Sequence, residues 1–160
     1  AMAAQIIYDG TMRGYEKSLR RMNMALEAGK LVGVVYVFTP IEKSAVWLVN
    51  RAIKSGRVVQ ADAAGRSHWQ AQHTFLKLVK AFEGNPAVSF RLIDKSTDAS
   101  KLVPPEFMQT KLYSEDGRFA DMDAFIQYTK KLIRTELDKA KADGKLIPET
   151  EEAFKAGTQV

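Results

Sequence analysis

Three groups of side chains have the types and spacing to do chemistry. Asp9, Thr11 and Arg13 alternate through the stretch that follows Ile6-Ile7-Tyr8. An aspartate at the end of a strand can act as a base, hold a metal through water or orient a substrate hydroxyl. Thr11 and the amides that open a following helix can hold an anion. The same Asp9 and Thr11 could instead serve only as helix caps. Arg51, Arg57 and Arg66 form the second group. Planar, permanently charged guanidinium groups on a mobile segment suit charge neutralisation in phosphoryl transfer, although most arginines on a basic chain are simply solvated. His68 and His73 stand five positions apart, so they do not share a helix face as an i, i+4 metal pair would. They read as structural or surface residues, and no metal site is expected. Trp47 and Trp69 could stack on a base, but on amphipathic helices they read as core.

Composition narrows the partners. The chain has 160 residues, 46% of them hydrophobic, which suits one globular domain with its own core. A formal charge of +5 favours anionic partners without choosing among nucleotides, phosphosugars, nucleic acid and an acidic protein. The absence of cysteine excludes disulfides, thiolate metal sites and cysteine nucleophiles. The longest apolar runs are too short to span a bilayer, and no signal core is evident, so a soluble cytoplasmic protein is expected. Ala1-Met2-Ala3 has the look of a cloning remnant, which suggests a piece of a longer protein.

The elements that must position these residues follow from periodicity. Ile6 to Asp9 reads as a short buried strand, and Met12 to Ala28 as a helix with Tyr15, Leu19, Met22 and Leu26 on one face. Leu31 to Phe38 is continuously apolar and predicts a central strand covered on both faces. Thr39-Pro40 should cap and start a helix from Ile41 to about Lys54, buried through Ile41, Ala45, Leu48, Val49, Ala52 and Ile53. Arg57 to Arg66 reads as a polar connection, followed from about Ser67 by a helix closed at Gly84-Asn85-Pro86. Val88 to Asp94 predicts a third strand nearer an edge, because Ser89 and Arg91 alternate with apolar residues. Lys95 to Ala120 shows no recognisable period. Asp121 should cap a helix with Phe125, Tyr128, Leu132, Ile133 and Leu137 on its face, and a last helix should start at Pro148 and carry Phe154. Strands alternating with helices predict a three-layer α/β/α arrangement around a mostly parallel sheet, with ligands beyond the carboxyl ends of the strands.

Taken together, these residues resemble the zeta-toxin family of P-loop kinases. The resemblance rests on Ile6-Ile7-Tyr8-Asp9-Gly10-Thr11-Met12-Arg13, similar to the family's strand followed by acid-Gly-Thr-x-Arg. Val34 to Phe38 with Thr39-Pro40, Asn50-Arg51-Ala52, Gly56-Arg57-Val58-Val59, the segment around His68 and Ile93-Asp94 follow in the family's order. Gly144-Lys145-Leu146-Ile147-Pro148-Glu149 is similar, less specifically, to the tail of bacterial and phage members. The resemblance implies a P-loop-kinase-like α/β domain over residues 4–96, truncated at its N-terminal side, with a mainly helical extension over 97–160 packed on the same domain. It implies that Asp9, Thr11 and Arg13 contact a sugar-nucleotide substrate and that Arg51 and Arg57 are catalytic lid arginines, with Arg66 a less secure substitute for Arg57.

The implied reaction, for the intact parent, is transfer of the γ-phosphate of ATP or GTP, with Mg2+, to a hydroxyl of a UDP-activated amino sugar. The chain has no Gly-x-x-x-x-Gly-Lys-Ser/Thr loop, so neither ATP nor GTP is expected to bind it tightly and the isolated chain is expected to be inactive. It reads as an excised C-terminal portion or a natural remnant. Loss of the phosphate-loop strand predicts that Ile6–Asp9 and Val34–Phe38 pair directly, or that another chain fills the gap as a homo-oligomer or strand swap. The alternative reading is a non-catalytic interaction module whose basic helix from Arg13 to Arg21 docks an acidic antitoxin or nucleic acid; no membrane partner is expected.

Overall fold

The computed structural model describes residues 7, 8 and 10–156. Its elements in chain order are α1 (Tyr15–Glu27), β1 (Val32–Phe38), α2 (Ile41–Ser55), α3 (Ala61–Ala81), β2 (Val88–Asp94), β3 (Lys101–Val103), two 3-10 turns (Pro105–Lys111 and Tyr113–Glu115), α4 (Met122–Ala142) and α5 (Pro148–Ala156). The fold is mixed α/β with a small sheet ordered β1-β2-β3. β1 and β2 are parallel, with Val32 opposite Val88 and Phe38 opposite Asp94, while β3 runs antiparallel to β2.

Two expectations about the strands are corrected. β2, expected near an edge, is the central strand, because three residues of the apparently irregular segment pair along its far side. β1, expected in the centre, is an edge strand covered on one face only. Val34, Tyr36 and Phe38 turn toward the helices, where Phe75 of α3 stacks on Tyr36 at 5.0 Å and meets Phe90 edge-on at 6.0 Å. Gly33, Val35 and Val37 turn the other way and are exposed. A continuous apolar run therefore does not prove burial on both faces; here the same run supplies one covered face and one open one.

The amides and carbonyls of Val32 and Phe38 bond toward β2 and its flanks, so those of Gly33, Val35 and Val37 point to the outer edge. Ile7 and Tyr8 form no strand against that edge and are exposed. Ile6 and Asp9, the ends of the first expected strand, lie outside the described residues.

The helices pack into two connected cores. Phe38, Ile41, Phe75 and Leu92 join Met108, Tyr113, Phe119 and Phe125, so the sheet and the C-terminal part share one core. Farther from the sheet, Ala45, Val49, Ala52 and Ala61 pack on Ile133, Ala140 and Phe154. Small residues let α2, α3 and α4 approach closely: a Cβ on Gly65 would sit 3.0 Å from Thr129 Oγ1 and 3.2 Å from Ile126 Cα. α3 starts at Ala61, not near Ser67, because Ala61, Ala64 and Gly65 are buried in this contact and Arg66 is already helical.

Asp121 caps α4 as expected, accepting from the Ala124 amide at 2.8 Å. Thr39 makes no such cap on α2; the Ile41 amide donates instead to the Tyr113 hydroxyl at 2.9 Å. Of its expected face, α1 buries only Met22.

Candidate functional site

The path from β1 to β2 builds the first part of the candidate site. α2 leaves the carboxyl end of β1, the chain turns at Gly56 in a left-handed conformation, and α3 returns to lead into β2. The crossover carries Arg51 on α2, Arg57 in the connection and Arg66 on α3, and the two helices pack on α4 rather than on each other. Arg51 and Arg57 are exposed and Arg66 is half-buried. Among the described residues none of the three makes an ion pair. At 1.5 Å per residue Arg51 lies about 15 Å along α2 from its start.

The other expected residues are not gathered with them. Thr11 and Arg13 are exposed, and the Arg13 carbonyl accepts a long 3.5 Å bond from Thr74 Oγ1 in the middle of α3. Between them Met12 adopts a positive φ of 51° and packs on the core. Arg66 precedes Thr74 by two helical turns, about 12 Å along α3. Asp9 lies outside the described residues.

A recess at the carboxyl ends of β1 and β2 holds residues that sequence reasoning missed. This open cleft of about 470 Å³ is bounded by Phe38, Glu42, Ser96, Lys111, Tyr113 and Arg118, among others. Glu42, in the first turn of α2, accepts from the Tyr128 hydroxyl at 2.9 Å and from Arg118 at 3.3 Å. Arg118 also grips Asp116 through two bonds of 2.6 Å and lies against the rings of Phe119 and Tyr128. The Arg118 guanidinium holds the Asp116 carboxyl below the usual carboxylate range. Burial raises the Tyr128 phenol above its ordinary value, and its bond to Glu42 adds to the rise. Partial burial works against an ionised Asp94, but two hydrogen bonds from Ser96 and the charges of Lys111 and Lys101 hold its carboxyl below the usual range.

Arg118 is thus already engaged by two carboxylates, and the acids lining the cleft, Glu42, Glu115 and Asp116, outnumber its cations, Lys111 and Arg118. The local signals were weak: Thr39-Pro40-Ile41-Glu42 fits a capping-box spacing, and Asp116-Gly117-Arg118 reads as an ordinary turn.

Trp69 sits against Phe125 at 5.6 Å, in the core as expected, whereas Trp47 is exposed with Lys95 over its ring at 5.2 Å. His68 and His73 both lie on α3. Burial pushes the His68 imidazole down to about 4, with Glu42 opposing the shift. An unfolded histidine binds its proton near pH 6.5, so between pH 6.5 and about 4 the unfolded chain holds a proton that native His68 does not. Stability is therefore fully present above pH 6.5 and falls as the pH drops toward 4, by on the order of 3 kcal/mol. Urea unfolding followed across this range should show the loss, and His68→Asn should flatten it. An unchanged pH slope in the variant would refute this origin.

Among the described residues no group of three His, Cys, Asp or Glu side chains is placed to hold a metal ion. The chain also lacks a glycine-rich loop whose amides could cradle a β-phosphate. No described helix is long and apolar enough to cross a membrane. Comparison of the chain with protein-family models, with curated proteins and with solved structures finds no match.

Proposed function

We propose that the chain is the substrate-binding and lid portion of a zeta-toxin-like kinase, whose intact form would transfer the γ-phosphate of ATP or GTP to a sugar-nucleotide hydroxyl. The supporting observation is the crossover from β1 to β2, whose α2, connection and α3 carry Arg51, Arg57 and Arg66 with no ion pair among the described residues. A guanidinium already bound to a carboxylate must release it before gripping a phosphate. Arg118 is held in that way, and among the described residues no such bond holds Arg51, Arg57 or Arg66.

In this reading Arg51 and Arg57 close on the donor triphosphate. Arg13 and Thr11, with Asp9, hold the acceptor. The three-layer, P-loop-kinase-like architecture belongs to the same proposal, a further parallel strand pairing along the open edge of β1.

Calorimetry of the chain with a UDP-amino sugar, ATP and an oligonucleotide tests the reading. The sugar nucleotide should bind. Arg13→Ala should weaken that binding roughly tenfold, the usual effect of losing one charge-assisted hydrogen bond. The double variant Arg51→Ala, Arg57→Ala should leave it unchanged. Binding of the oligonucleotide alone would sink the kinase reading in favour of an interaction module.

A further inference from the structure

The face of the sheet turned away from the helices has its own chemistry. Gly33, Val35 and Val37 of β1, Ser89, Arg91 and Ile93 of β2, and Leu102 of β3 share it through the strand register. Val35 is 56%, Val37 50% and Leu102 68% exposed. Val35 and Val37 stand two apart on β1 and Leu102 is reached across Ile93 in the register, so the three exposed side chains lie on one small apolar patch.

The charges on the face are one-sided. Arg91 lies beside Val35 in register and is exposed, and none of the seven residues is acidic. Arg91 forms no ion pair among the described residues.

We propose that this open sheet face docks an amphipathic helix of a partner protein whose apolar stripe covers Val35, Val37 and Leu102 and whose carboxylate pairs with Arg91. Three features select this occupant. Adjacent strands stand about 4.8 Å apart, so the two long strands present a strip roughly as wide as one helix. Gly33 and Ser89 sit side by side at one end, leaving a shallow depression in which a helix can approach the backbone. A second copy of the chain laid face to face about a central two-fold would bring Arg91 against the partner copy's Arg91 with no acid between them, and like charges so placed are disfavoured. The net charge of +5 adds long-range attraction for an acidic partner.

None of the docking residues is Arg51, Arg57, Arg66 or part of the segment around Arg13, so the peptide test and the calorimetric test can fail separately; in the three-layer parent the same face would be taken by the parent's own helix, and the proposal concerns the chain as it stands. The probe is a synthetic helical peptide of about five turns with a leucine stripe bearing one central glutamate, compared with the same peptide bearing lysine. Fluorescence anisotropy with the full chain should show the glutamate peptide binding more tightly than the lysine peptide, with amide shifts confined to β1, β2 and β3. Arg91→Glu should weaken the glutamate peptide about tenfold and reverse the preference, and Val35→Lys should weaken both. Both substitutions fall on exposed side chains, and circular dichroism of each variant should match the parent.

Equal affinity for the two peptides, binding of neither, or shifts centred on α1 would each overturn the proposal. So would self-association of the free chain that Val35→Lys abolishes, since the face would then belong to a second copy.

Discussion

Phe125→Ala should destabilise the chain by about 3–5 kcal/mol, the range for emptying a fully buried aromatic site. A typical domain of this size has about 5–15 kcal/mol in all, so the variant should stand close to unfolding. Phe125 is completely buried at the point where α3, α4 and the turns after β3 converge. It stacks on Tyr113 at 4.2 Å, meets Phe119 edge-on at 5.1 Å and contacts Trp69 at 5.6 Å. Offset and edge-on pairs contribute beyond their buried area, so removing one ring weakens three neighbours at once.

The damage should also reach the candidate site. Tyr113 terminates α2 by accepting from the Ile41 amide, and a Tyr113 freed from Phe125 holds that amide less firmly. Urea unfolding should show a lower midpoint with an unchanged slope, and Phe125→Leu should recover more than half of the loss. A loss below about 1 kcal/mol would show that the aromatic cluster does not act as a unit.

The parts of this structure that were legible in the sequence are those whose cause is local. Val88 to Asp94 forms a strand over the expected residues because apolar and polar residues alternate along it between Gly84-Asn85-Pro86 and Lys95-Ser96. Asp121 begins α4 because its carboxylate lies three residues from the amide it accepts from. α3 was legible only where large residues mark a period. Its first turn is held by Ala61, Ala64 and Gly65, whose burial depends on the closeness of α4 and leaves almost no hydrophobic signal.

Lys95 to Ala120 stayed opaque for a related reason. Its 3-10 turns are too short to show a period, and Met108, Tyr113 and Phe119 find their partners on helices elsewhere in the chain. The position of β1 was a different matter, because apolar composition reports what a strand can bury and not what is present to cover it.

The candidate site divides in the same way. Residue types pointed to Arg51, Arg57 and Arg66, but whether an arginine is free or engaged depends on partners far along the chain. Arg118 meets Glu42 across 76 positions, and Tyr128 meets the same carboxylate across 86. No local window contains such a pair. Arg118, which braces the fold, is thus told apart from Arg51, Arg57 and Arg66, which make no ion pair among the described residues, a distinction that charge and spacing alone do not carry.

Gln72→Leu should cost about 2–5 kcal/mol although it replaces an amide by an apolar side chain of similar size. Gln72 is 1% exposed and spans the core to the segment that walls the cleft. Its Nε2 donates to the Lys111 carbonyl at 2.6 Å, and its Oε1 accepts from the Tyr113 amide at 3.1 Å. Leucine would preserve most of the packing but strand both backbone groups in an apolar setting, at about 1–3 kcal/mol each.

Tyr113→Phe provides the calibration, because it strands only the Ile41 amide and should cost about 1–3 kcal/mol. Urea unfolding should therefore rank Gln72→Leu below Tyr113→Phe, and amide exchange at Tyr113 should speed up in the leucine variant relative to α4. A nearly neutral Gln72→Leu would mean that the segment shifts until water reaches both groups. The cleft wall would then be a pliable loop and not a fixed feature of the fold. The expected large loss instead makes Gln72 the side chain that fixes Lys111 and Tyr113 at the carboxyl end of the sheet.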